Sequence, residues 1–152
     1  MAKYGIGHSK ALSTTIDWLN IITAASGAGA VVSISEFSLG GEAGSSAVAR
    51  IALNRPSVDG SGGTPTTITP QPLRSTSAAA TFTPKHTFGT ESTLSANHLM
   101  LPTFNAFGGV FSWVAPPGFE LIVGDGAAAR QLSIRSISGT STVSGSILAE
   151  EL

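Results

Sequence analysis

The stretch from Val110 to Val123, VFSWVAPPGFELIV, constrains the fold more than any other part of the chain. Phe111 and Trp113 alternate with Val110, Ser112 and Val114, which in an extended chain puts both aromatics on one face and requires a core to cover them. Pro116 and Pro117 fix φ and remove two backbone donors, so no central ladder runs through them. Gly118 can take the positive φ of a type II turn after Pro117. Phe119, Leu121 and Val123 then resume the alternation against Glu120 and Ile122, and Gly124, Asp125 and Gly126 end it. The stretch reads as two strands of a rigid hairpin joined by a proline-glycine corner, with its aromatics turned to the core.

The same period recurs along the chain. From Tyr4 to Ile22 the β-branched Thr14, Thr15, Ile16, Ile21 and Ile22 favour strand over helix. Ala24 to Gly29 is a small-residue loop. In AVVSISEFSLGG (30–41) Val32 and Ile34 share one face while Phe37 and Leu39 have the opposite phase. One extra residue near Ser35 or Glu36 would return all four to one side, so a β-bulge is expected there. Ala47 to Arg55 sets Ala49, Ile51 and Leu53 against Val48, Arg50, Ala52 and Asn54, the pattern of a half-solvated strand. Arg55 to Pro72, rich in proline and glycine, is the longest segment without a period and reads as a loop. Short β-like pieces follow over Thr81 to Phe88, and a strand interrupted by Pro102 over Leu94 to Phe104. Late strands put Leu132 and Ile134 against Ser133 and Arg135, and Val143, Gly145, Ile147 and Ala149 on one face. About eight or more short strands separated by turn signals, with no amphipathic helix, predict an all-β fold. The expected form is one antiparallel jelly-roll sandwich spanning 1–152 with a long loop around 55–72; an immunoglobulin-like sandwich is the alternative.

Composition narrows the function. Charged residues make up 11% of the chain, against about 25% in an ordinary soluble domain. With a net charge of -1, a mean hydropathy of +0.27 and 18 glycines, much of the surface must be small, hydroxylated and uncharged. Eight scattered Lys and Arg do not form the basic face that neutralises several phosphates, so nucleic acid is disfavoured as a partner. Such a surface suits packing against copies of itself or a larger assembly. The absence of cysteine removes disulfides, thiolate metal sites and thiol nucleophiles, and suits folding in a reducing cytoplasm. No run approaches the roughly 20 apolar residues that span a bilayer, and no signal peptide is read at the start.

Chemical motifs are sparse. His8, His86 and His98 lack the close spacing of a metal site. Serines are abundant, but no Gly-x-Ser-x-Gly elbow is present. Gly5-Ile6-Gly7-His8-Ser9-Lys10 lacks the gap of a phosphate loop, and Gly27-Ala28-Gly29 lacks the third glycine of a dinucleotide fingerprint. Trp18 and Trp113 offer stacking faces for a sugar, though tryptophans on alternating strands more often belong to a core or an interface. No catalytic, cofactor-binding or metal-ligating residue is assigned, and an enzyme is not expected. Phe104 and Phe107, flanking Asn105-Ala106 in a glycine-rich tip, are the candidate contact patch.

Four pieces occur in a telling order: AKYGIGHSKALST (2–14), VVSISEFSLGGEA (31–43), TPTTITPQPL (64–73) and PPGFELIVGDG (116–126). Together they resemble the capsid decoration, or cement, proteins of tailed bacteriophages, small virion proteins with a jelly-roll domain of tumour-necrosis-factor-like shape. The resemblance covers most of the chain and is weakest in 60–65 and 92–109. It implies a homotrimer assembled in the host cytoplasm, seated on the outside of the head against the major capsid protein, and reinforcing the shell. It carries no catalytic residue. A carbohydrate-binding module of a tail fibre or bacterial surface protein is the competing expectation.

Overall fold

The structure, a computed structural model, describes residues 1–23, 31–124 and 131–152. The loop expected at Ala24 to Gly29 and the stop at Asp125 and Gly126 lie outside the described residues. Twelve strands and no helix are present among the rest: β1 (Ala2–Ala11), β2 (Leu19–Ile22), β3 (Val32–Glu42), β4 (Val48–Asn54), β5 (Thr66–Thr67), β6 (Gln71–Pro72), β7 (Thr83–His86), β8 (Thr103–Asn105), β9 (Phe107–Val114), β10 (Leu121–Val123), β11 (Gln131–Ser138) and β12 (Thr142–Glu151). They form two antiparallel sheets. In sheet A the order is β6-β1-β12-β3, with β9 and β10 both on the far side of β3; in sheet B it is β5-β7-β2-β11-β4-β8. Setting aside the short β5, β6 and β7, the central orders β1-β12-β3-β9/β10 and β2-β11-β4-β8 are those of a jelly roll. The immunoglobulin-like order, which would pair the first strand with the second, does not occur.

The hairpin expected at 110–123 is not formed. Val114 lies opposite Glu36 and Leu121 opposite Ile34, so β9 and β10 run in the same direction along one edge of β3. Residues 115–120 bulge out between them, across from Ser35 alone. The corner itself is as expected: Gly118 has φ 83°, and Phe119 N donates to Pro116 O at 2.9 Å. The physical reason is the edge position. An edge strand is bonded on one side only, so a proline pair that cannot donate is looped out and the chain rejoins the same ladder.

The phase flip in β3 is resolved as expected. Across β12 the register steps from Leu148↔Glu36 to Ala149↔Ile34, leaving Ser35 as the extra residue. Val32, Ile34, Phe37 and Leu39 are all buried as a result. They meet Tyr4 and Ile6 of β1, Leu19 and Ile21 of β2, Ile51 and Leu53 of β4, Ile134 of β11 and Ile147 of β12 in one core. Each such side chain contributes about 1.5–3 kcal/mol by leaving water. Trp18 fills the centre of one end and its indole N–H donates to Val143 O at 3.1 Å. It has room because position 145 is glycine, where a Cβ would lie 3.1 Å from the Trp18 ring and 2.6 Å from Ser38 O.

The two sheets differ on their outer faces. Sheet A presents small side chains to solvent, among them Gly7, Ser9, Ser112 and Ser146. The outer face of sheet B is covered by the segment between β4 and β8. The half-solvated strand expected at 47–55 is therefore open only in its first half: Val48 and Arg50 are exposed, whereas Ala52 and Asn54 are buried, as are Gln131, Ser133 and Arg135 of β11. Three polar anchors hold the cover. Gln131 exchanges hydrogen bonds with both backbone groups of Gly60. Asn54 donates to Ser95 O and Asn97 O and accepts from Ser95 N. Arg135 Nε donates to Asp17 Oδ1 at 2.7 Å while its Nη2 donates to Ser92 O at 2.7 Å. Met100 forms a single bridge to Leu53, and Pro102, which interrupts the expected strand, accepts from Ile51 N.

Replacing Arg135 by Met should leave the Asp17 carboxylate buried without its cation, at a cost of about 3–5 kcal/mol. Urea titration of the wild type and the variant measures this as a fall in midpoint.

Candidate interface and the histidine end of the sandwich

Phe104 and Phe107 stand where the chain crosses from the edge of sheet B to the edge of sheet A. Phe104 lies on β8 opposite Ala49 and packs partly buried against the core. Phe107 is 58% exposed. The difference comes from register. Between Gly40↔Val110 and Glu42↔Phe107, β9 has one residue more than β3, and Gly108 takes φ 71° in the resulting bulge. The extra residue moves Phe107 to the outer face, in line with Val110 and Val114, which are 73% and 64% exposed. Phe111 and Trp113 point the other way and pack against the core. Phe119, at the turn between β9 and β10, is 73% exposed. The outer row is thus Phe107, Val110 and Val114, with Phe119 beyond its end.

Val110 and Val114 were legible as the counter-phase of Phe111 and Trp113. Phe119 was expected among the inward residues and instead lies in the looped-out corner. Beside Val110, Ser38, Gly40, Ser144 and Ser146 line a shallow groove of about 290 Å³, and a second of about 430 Å³ lies between Val48 and Phe104.

The crossing is tightly held. Asn105 Oδ1 accepts from Phe107 N at 2.9 Å and Ala47 N at 3.3 Å, and its amide donates to Ser46 Oγ at 3.0 Å. Ala43 N donates to Ala106 O at 2.8 Å. Gly41 is needed for this approach: a Cβ there would stand 2.2 Å from Ala106 O and 2.4 Å from its C and Cα.

At one end of the sandwich the fold joins two histidines that the sequence separates. His8 continues the inward phase of β1 past the core, and His86 ends β7; their ring centroids are 4.9 Å apart. His8 also lies against the Trp18 ring, and its Nε2 is 3.1 Å from Trp18 O. Lys10 Nζ donates to Asp17 O at 2.7 Å. Glu91 accepts from Asp17 N and Phe88 N. Thr87, next to His86, is the single non-glycine residue with positive φ among those described, at 61°. Burial, reinforced by His86 and Lys10, lowers the His8 pKa to about 4 against the pull of the Trp18 carbonyl. Burial and then Lys10 lower that of His86, and burial lowers that of Lys10. Burial raises that of Glu91.

His98 is elsewhere, with Nδ1 2.8 Å from Asn54 Nδ2. No group of three or more His, Cys, Asp or Glu able to hold a metal occurs among the described residues. Ser92 is buried and donates to Asp17 Oδ2 at 2.8 Å, so its hydroxyl sits on a carboxylate already held by Arg135, not on an imidazole. Trp18, one of the two candidate sugar platforms, is enclosed in the core. Comparison with protein-family models, curated proteins and solved structures found no match.

Two expectations follow from this geometry. Gly41→Ala should destabilise by about 2–4 kcal/mol, because both clashing partners are backbone; chemical denaturation measures it. Because the native His8 pKa lies below its unfolded value near 6.5, the unfolded chain binds the proton more readily. Its contribution is complete above about pH 6.5 and is lost as pH falls towards about 4. With the site half open to water, the loss is about 1–2 kcal/mol. Thermal melts at pH 7 and 4.5 should show a smaller drop for His8→Gln than for the wild type.

Proposed function

We propose that this protein is a decoration protein that binds the outer surface of a tailed-phage head and stabilises the capsid. The observation that carries the reading is the exposed row Phe107, Val110 and Val114, with Phe119 near it, on a chain with only 11% charged residues. Large apolar side chains aligned on one strand are contact residues more often than solvent-facing accidents. The order of motifs resembling phage cement proteins names the partner class, and the jelly roll suits it. On this reading the copies act as homotrimers against the major capsid protein on the virion exterior. A protein that binds only the mature shell stabilises that state by mass action, and a symmetric lattice repeats each weak contact many times.

Mixing the purified protein with expanded, undecorated phage heads should give saturable, stoichiometric binding and a higher melting temperature of the shell. Absence of binding at micromolar concentration sinks the proposal. Phe107→Ser should weaken the association about tenfold or more, the equivalent of one lost apolar anchor, while the isolated domain keeps its melting temperature.

A further inference from the structure

We infer that the free edge of β9 is a self-pairing surface, which joins two copies of this chain antiparallel through β9 about a two-fold axis at Ser112. Among the described residues β9 is bonded to β3 alone. Ala115 N donates to Ser35 O at 2.8 Å, which makes that pair hydrogen-bonded and fixes the alternation: Trp113 and Phe111 bond inward to β3. The N–H and C=O groups of Val110, Ser112 and Val114 therefore point away from the sheet. Proteins usually blunt such an edge with lysine, proline or an inward charge. From Phe107 to Val114 this one has none of them, and its single bulge falls at Gly108 and Gly109, before the free portion.

The strand is complementary to itself. With the two-fold at Ser112, Val110 faces Val114 of the second copy on the outer face, and Ser112 faces Ser112. On the inner face Phe111 meets Trp113. The three outward residues of each copy then exchange about six N–H···O=C bonds. Cross-strand β-branched and aromatic pairs of this kind stabilise a ladder, and no like charges are opposed. The same register sets the exposed Phe107 of one copy beside the Pro116–Phe119 turn of the other. The contact is isologous and closes on itself, so it is separate from the three-fold association proposed above. Where trimers form, it links neighbouring trimers.

Sedimentation velocity over a concentration series reads the state directly. The wild type should show a species of twice the mass of its building block. Ser112→Pro removes an outward N–H and leaves the β3 ladder intact; Ser112→Lys sets two ammonium groups face to face. Both should shift the population to the smaller species, and the lysine variant covers the case in which proline unfolds the strand. Because the chain has no cysteine, Ser112→Cys supplies one thiol at the axis. A mild oxidant should then give a covalent dimer, since the paired Cα atoms lie about 5.5 Å apart. A wild type that is monomeric or purely trimeric at all concentrations overturns the inference, as does a mass unaffected by Ser112→Lys. If Ser112→Lys instead abolishes binding to undecorated heads while the wild type stays monomeric, the edge belongs to the shell protein and self-pairing is wrong.

Discussion

The Asp17–Arg135 pair is the constraint on which the rest of the molecule is arranged. Both charges are out of water, and a buried carboxylate is tolerated only when its acceptor sites are filled. Asp17 receives Arg135 from β11, Asn20 from β2 and Ser92 from the segment that crosses sheet B. Arg135 in turn donates to the Ser92 carbonyl. The pair is satisfied only when the entry to β2, the middle of β11 and residues near 92 are all in place. Apolar packing would cover the same area without demanding one alignment. Here the position of the cover is fixed by polar groups with directional requirements.

That choice divides the surface of the sandwich. With sheet B roofed over, the open face belongs to sheet A, whose side chains are mostly glycine and serine and whose edge carries the valines of β9. The covering segment also sends β6 to pair with β1 and β7 to pair with β2, so it clasps both sheets on one side. The opposite side, where β8 passes into β9, is left with the exposed apolar row. The proposed contact with a shell and the proposed pairing of β9 both use the part of the molecule that the described residues leave uncovered. The histidine end has a different character: His8 and Lys10 engage backbone carbonyls there, and Glu91 accepts from the backbone N–H groups of Asp17 and Phe88.

Much of this was readable before folding. The opposed phases of Val32 and Ile34 against Phe37 and Leu39 demanded one extra residue, because a strand has a period of two and both pairs are too apolar for water. Pro117-Gly118 demanded a turn with positive φ. The alternation of Phe111 and Trp113 named the inward face of β9 and, by default, the outward valines. What misled was the corner at 115–120. Local geometry shows that the chain turns there, but not whether it returns along a new partner or rejoins the old one, and that depends on β3 having a vacant edge.

The sequence by itself determined the two-layer sandwich, most of the longer strands and most of their inward residues, since these follow from local φ preferences and the need to bury alternating apolar side chains. Only the tertiary structure decided which faces stay open. Ser133 and Arg135 alternate as solvent-facing residues do, yet both are buried: Ser133 donates to Asn20 of the neighbouring strand, and Arg135 is held under Ser92, some forty residues away. His8 meets His86, and Phe107 turns outward while Phe104 turns in, through pairings between distant strands and a single added residue in a ladder. Periodicity along one chain reports which side of a strand is apolar; what comes to rest against the other side is set by long-range packing.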